Sequence, residues 1–172
     1  MRLTDGDFAA GAEARFTASG ATIIQHVVSD KSSSAGTVYL QGMRDGEKGG
    51  TIYVRNDRRP EDNITYTPIP SGVTRGGVEP DAVADFKKAS LAIGNCGRVK
   101  LFADIRMNGL RMETGTALDL NGMTLTVNKA QLGGTRLALG TYTADILPEY
   151  LVDFVAGGKL VVCSEGFSIS IR

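Results

Sequence analysis

An all-β protein of short extended segments joined by tight corners is the fold class this sequence predicts. The first observation behind that prediction is the stretch from Val99 to Val127, VKLFADIRMNGLRMETGTALDLNGMTLTV. Apolar residues fall there in pairs: Val99 and Leu101, Ile105 and Met107, Leu110 and Met112, Leu118 and Leu120, Leu125 and Val127. Spacing of two puts both side chains of a pair on one face of an extended strand. Between the pairs stand Asn108-Gly109, Thr114-Gly115-Thr116 and Asn121-Gly122, which turn a chain cheaply because Gly and Asn tolerate positive φ. The second observation is composition: 22 glycines without a collagen period, and no tryptophan, favour a turn-rich β protein over a helical one. Such a ladder is either a set of β-solenoid rungs or a meander of hairpins.

At 172 residues the chain is long enough for one domain with a substantial core, and hardly for two independent ones. Nineteen basic residues balance nineteen acidic ones, which argues against a general electrostatic hold on nucleic acid or an anionic membrane. No apolar run approaches the roughly 20 residues of a membrane-spanning helix. The opening residues, MRLTDGDFAAGAEARF, contain no apolar stretch of the secretory kind. Two expectations follow, a cytoplasmic protein or a piece of a longer exported precursor. Cys96 and Cys163 are too few for a disulfide framework, and two small buried thiols are the expected state.

Along the chain, Met1 to Gly20 is polar and Gly-rich, with a short strand expected at Ala14 to Thr17. Ala21 to Val28, ATIIQHVV, reads as a strand rich in β-branched residues, and its His26, the one histidine, reads as a packing residue. Ser29 to Gly36 is a flexible connection. Thr37 to Leu40 and Thr51 to Val54 are strands with Tyr39 and Tyr53 in matching places, so the two rings are expected to stack as neighbours. Arg55 to Pro80 holds four of the five prolines and reads as an excursion from the strand core, since Pro removes ladder hydrogen bonds. Within it Asn63-Ile64-Thr65 matches a glycosylation acceptor, a pattern common by chance.

Asp81 to Ala89 is the one helix expected: Asp81 follows Pro80 as an N-cap, Val83 and Phe86 share a face, and Lys87 and Lys88 suit the C-terminal end. After Val127, strands are expected at Ala130 to Leu132, Arg136 to Leu139, Thr141 to Thr143, Lys159 to Cys163 and Phe167 to Ile171. Pro148 sets a turn or a short helix between them. The division expected is 1–80, a β-rich region with an irregular loop at 55–80, and 81–172, the rungs and a closing module, in one continuous domain.

Gly115 to Val127, GTALDLNGMTLTV, joins a Gly-rich corner, a Leu-Asp-Leu-Asn-Gly segment and an alternating Thr-Leu-Thr-Val strand. Leu139 to Val162 joins Gly-Thr-Tyr-Thr, a Leu-Pro pair, a Gly-containing turn and Leu-Val-Val. These segments resemble the autotransporter-associated β-strand repeat of very large exported bacterial proteins and the module that often closes them. The resemblance covers roughly the last 80 residues and includes one clear copy of the repeat. It implies a right-handed parallel β-solenoid, secreted or at the cell surface, and it carries over no catalytic residue. The residues agree: Leu118, Leu120, Leu125 and Val127 suit inward stacking, and Asn121 suits a ladder or its own corner. Lys100, Arg106, Arg111, Glu113, Asp119, Thr124 and Thr126 suit a solvated outer face of mixed sign. The Asp81 helix and the Leu147 to Val155 segment are the expected caps. An antiparallel β-sandwich or meander is the alternative.

No GxSxG, HExxH, P-loop or paired CxxC occurs, so no metal or cofactor is expected. Glycan cleavage on a β-helix face would need two carboxylates at about 5 to 9.5 Å, for which Asp104, Glu113 and Asp119 are the candidates. Outward charges are ordinarily solvation. The expected role is therefore a non-catalytic structural or adhesive segment, with a carbohydrate-binding module or a polysaccharide-cleaving β-helix as alternatives. Tyr39, Tyr53, Arg55, Arg58 and Arg59 are the candidate ligand-binding residues, for a glycan or a surface protein.

Overall fold

The computed structural model describes residues 22–23, 31–32, 35–42, 45–46, 49–56, 66–69 and 86–164. These form an all-β protein, with no helix among the described residues. In chain order the strands are β1 (Thr22–Ile23), β2 (Lys31–Ser32), β3 (Thr37–Leu40), β4 (Gly50–Arg55), β5 (Thr67–Ile69), β6 (Ala89–Gly94) and β7 (Arg98–Leu101). There follow β8 (Ile105–Met112), β9 (Ala117–Asp119), β10 (Thr124–Leu132), β11 (Thr135–Arg136), β12 (Gly140–Tyr142), β13 (Leu151–Val152) and β14 (Lys159–Val162).

Strands β4 to β10 alternate between two sheets. The larger runs β12-β14-β10-β8-β6-β4-β3, with β11 folded against β10; the smaller runs β13-β9-β7-β5. Every pair within the smaller sheet is parallel, as are the four central pairs of the larger one. Antiparallel pairing is confined to the β1–β2 pair and to β3, β11 and β12. A meander, whose consecutive strands pair antiparallel, does not have this connectivity.

The register has a recurring step. Ser90 lies opposite Gly109 and Val99 opposite Leu118, each nineteen positions on. Ile105 lies opposite Leu125, twenty positions on. Like positions therefore stack, and the apolar pairs of the sequence become columns of one core. All ten residues of the five pairs are buried, with Val99, Leu101, Met107, Leu118, Leu120, Leu125 and Val127 at 0% exposure. Burying one such side chain contributes about 1.5–3 kcal/mol. Elsewhere the step is longer, as where Gly50 faces Ala89 and Thr124 faces Lys159, because extra residues loop out between strands.

Strands β8 and β10 each contain a corner. Their inward residues are Ile105 and Met107, then Leu110 and Met112; Leu125 and Val127, then Ala130 and Leu132. The alternation slips by one at Asn108 and Asn128, so the strand must turn there to keep both halves facing the core. The two asparagines meet across the slip, with Asn128 Nδ2 donating to Asn108 Oδ1 at 3.4 Å. At the next corner Asn121, at φ 51°, donates from Nδ2 to the Leu101 carbonyl twenty residues earlier at 2.9 Å. Asn121 thus bonds a neighbouring strand's end rather than its own corner.

Several expectations need correction. Of the expected capping helix, 81–85 lies outside the described residues; Phe86 to Lys88 make a turn closed by Ala89 N–H to the Phe86 carbonyl at 2.9 Å, and Ala89 begins β6. The excursion after Arg55 returns a strand, β5, whose Thr67 and Ile69 are buried. Pro68 is tolerated because β5 is an edge strand. Lys31–Ser32 pairs as β2 inside the expected flexible connection. The strand expected at Arg136 to Leu139 stops at Arg136, and Leu139 is exposed. Of the turn or short helix expected at Pro148 the structure has the turn, with Leu151 N–H reaching the Leu147 carbonyl at 2.9 Å. Both cysteines are free and only half-buried. His26, the Asn63 tripeptide, the strands at 14–17 and 167–171 and most of Ala21 to Val28 lie outside the described residues.

Candidate ligand-binding face

The corners consume the carboxylates. Asp104 Oδ1 accepts the Thr124 N–H at 2.7 Å, and Glu113 Oε2 accepts the Asn95 N–H at 3.0 Å. Asp153 takes two, from Gly122 and Gly158, both at 2.7 Å. Asp119, expected on the solvated face, is fully buried: Oδ1 accepts the Asn121 N–H at 2.9 Å and Oδ2 lies 2.8 Å from Lys100 Nζ. Residue 119 does point away from Leu118 and the core, as alternation requires. Lys100 and the phenyl rings above it remove the water. Its Nζ stands 6.0 Å from the Phe102 ring centre and 5.9 Å from that of Phe154, and Tyr66 meets Phe154 edge-on at 6.5 Å. All three carboxylates considered for glycan cleavage therefore hold backbone or a buried ion pair.

The outer face of the larger sheet is different. Cross-strand rows run Thr51–Ser90–Gly109–Lys129 and Tyr53–Ala92–Arg111–Gln131, with Arg136 beside Gln131. Ser90 and Gly109 in the first row and Ala92 in the second are small, and a hollow of about 450 Å³ is lined by these side chains. Over Gly109 the Lys129 side chain lies close to the sheet, since a Cβ there would stand 3.2 Å from both Lys129 Cε and Ser90 Oγ. A second hollow of about 400 Å³ shares Arg111 and Gln131 with the first and continues past Glu113, Thr114 and Gly133. Arg111, Lys129 and Arg136 are exposed, and none forms an ion pair with a described carboxylate.

Of the residues singled out by sequence, Tyr53 lines this hollow. Tyr39 does not. The register sets Tyr39 opposite Ile52 and Tyr53 opposite Val38, so the two rings lie on opposite faces rather than stacked. Tyr39 packs against the core, and its hydroxyl donates to the Gly49 carbonyl. Arg55 ends β4, half-buried, opposite Gly94. Arg58 and Arg59 lie outside the described residues. Sequence reasoning missed Ser90, Gly109, Lys129, Gln131 and Arg136 as a group. The available signal was the alternation x-apolar-x-apolar in SLAI, GLRM and KAQL at steps of nineteen and twenty residues.

No group of three or more His, Cys, Asp or Glu side chains able to hold a metal occurs among the described residues, nor does any helix long and apolar enough to cross a membrane. No protein-family model, curated protein or solved structure matches the chain.

Proposed function

We propose that the chain is a non-catalytic structural or adhesive segment of a right-handed parallel β-solenoid, carried by a secreted or surface-displayed bacterial protein. The observation that carries the solenoid is the parallel register at nineteen and twenty residues in strands that alternate between sheets. Right-handed coiling follows from the strong preference of parallel crossovers. The export assignment rests on the resemblance of Gly115 to Val127 to an exported repeat. Asp104, Glu113 and Asp119 support a scaffold over an enzyme, because each is spent on holding corners or strands together.

A cysteine pair tests the coil. Arg106 lies opposite Thr126, and neighbouring Cα atoms in a ladder fall within disulfide range. With Cys96 and Cys163 changed to Ser, the Arg106→Cys/Thr126→Cys variant should oxidise to an intramolecular disulfide, whereas Arg106→Cys/Lys129→Cys should not. Equal crosslinking of both would refute the register. Incubation with pectic and mucin glycans should release no new reducing ends; cleavage that disappears in Asp104→Ala or Glu113→Ala would overturn the non-catalytic role. Protease treatment of intact cells producing the full-length gene product should remove this segment if it is surface-displayed.

A second reading, carbohydrate binding, is favoured by one observation: the open hollow beside Tyr53 with three exposed cations that form no ion pair with a described carboxylate.

A further inference from the structure

We propose that the trough across the outer face of the larger sheet binds a carboxylate-bearing polysaccharide, with Arg111, Lys129 and Arg136 holding its acid groups. The proposal deepens the carbohydrate-binding reading by naming the ligand's chemistry and the residues that meet it.

The shape suits a chain. The hollows of about 450 and about 400 Å³ adjoin at Arg111 and Gln131, so the depression is elongated rather than a closed pit. Its floor is Ser90, Ala92 and Gly109, and its sides are Thr51 and Tyr53 on β4 and Lys129 and Gln131 on β10. Three strand spacings separate β4 from β10, roughly 14 Å, which admits a saccharide chain with its substituents.

The chemistry selects an acidic sugar. Guanidinium groups pair with carboxylates through two parallel hydrogen bonds; two arginines and a lysine stand here with no ion pair to a described acid, and the one carboxylate of the lining, Glu113, accepts the Asn95 N–H. Thr51, Ser90 and Gln131 add hydroxyl and amide groups of the kind that bond sugar hydroxyls, and Tyr53 offers a ring face. Single-stranded nucleic acid would be met by a series of aromatic platforms in a strongly basic groove. This trough has one aromatic, in a chain of zero net charge.

The test is calorimetric titration of the intact chain with oligogalacturonate, with dextran as the neutral control. Saturable binding that weakens with salt is expected for oligogalacturonate and none for dextran. Arg111→Gln/Arg136→Gln should weaken it by roughly tenfold or more, as loss of two charge-assisted pairs implies. Gly109→Leu keeps the charge but pushes aside the Lys129 and Ser90 side chains, which stand 3.2 Å from where its Cβ would lie, and should weaken binding by a similar roughly tenfold factor. Circular dichroism checks its fold, and Gly109→Ala replaces it if the larger side chain disrupts the strand. Arg106→Gln, outside the trough, should change affinity by less than about twofold. The proposal is overturned by absence of oligogalacturonate binding, by equal dextran binding, or by tighter binding of dextran sulfate or single-stranded DNA. Equal losses in Arg106→Gln and the trough variants would also overturn it, as generic charge attraction. None of these outcomes touches the disulfide test of the scaffold, so the two failures are distinguishable.

Discussion

The two sheets present outer faces built on the same plan and used in opposite ways. In the smaller sheet Lys100 stands opposite Asp119, so the cation is neutralised by its cross-strand neighbour, and Phe102 and Phe154 flank it. In the larger sheet Arg111 stands between Ala92 and Gln131, and neither can neutralise it. One row becomes a buried polar contact and the other part of an open face that carries exposed cations. The difference teaches that outward charge in a strand ladder has no fixed meaning. Its role is set by the residue one register step away.

Beneath those unlike faces the core should respond alike, and this is where the largest effects are expected. Leu110 underlies the trough and Leu118 underlies the Lys100–Asp119 row, at 3% and 0% exposure. Changing either to Ala should cost about 2–5 kcal/mol in urea denaturation, the range for large-to-small core substitutions. A near-neutral Leu110→Ala would mean that the trough lies over a loosely packed region, and the contrast would then be one of packing rather than of charge.

The covered face should be sensitive to which partner is removed. Lys100→Met leaves the fully buried Asp119 carboxylate with one N–H partner from Asn121, and should cost about 3 kcal/mol. Asp119→Ala leaves Lys100, whose side chain is 26% exposed and can turn to water, so about 1–2 kcal/mol is expected. Reversal of that order in thermal melts would show that the pair is not the desolvated contact described here. Asn121→Ala removes the hydrogen bond to Leu101 and places alanine at positive φ, for a cost of about 1–2 kcal/mol. Asn121→Gly, which relieves the backbone but not the lost bond, should recover part of that.

The core was legible because burial in a strand depends on a period of two, which a sequence displays directly. Leu118 and Leu120, or Leu125 and Val127, announce their face without any long-range information. Asn108-Gly109 was legible as a corner, though the chain turns there inside β8 rather than leaving it. Asp119 was misread for a physical reason. Alternation gives the side of the sheet, not whether water reaches that side, and Lys100 and Phe154 arrive from positions 100 and 154, far from residue 119 along the chain. Tyr39 and Tyr53 were misread because matching places in two strands become opposite faces when the strands pair antiparallel with Tyr39 against Ile52. The trough was hidden for the same reason. Ser90, Gly109 and Lys129 share no residue type, and only the register brings them side by side.

The smallest expected effect sharpens the comparison most. Arg111→Gln removes a charge from an exposed side chain flanked by Ala92 and Gln131, with no described ion pair to break. Surface substitutions of that kind stay within about 0.5 kcal/mol of the parent. Removing a cation from a face that also holds Lys129 and Arg136 relieves mutual repulsion, so the sign should be neutral to slightly stabilising at low salt. Added salt should erase the difference between parent and variant, because screening acts on repulsion between exposed charges and leaves core packing untouched. Lys100→Met, by contrast, should keep most of its cost in salt, since its lost contact is shielded from solvent ions. Urea denaturation of both variants at low and high ionic strength separates the cases. A salt-insensitive destabilisation by Arg111→Gln would mean that the guanidinium is spent on the fold, and the trough would lose its central cation as a ligand contact.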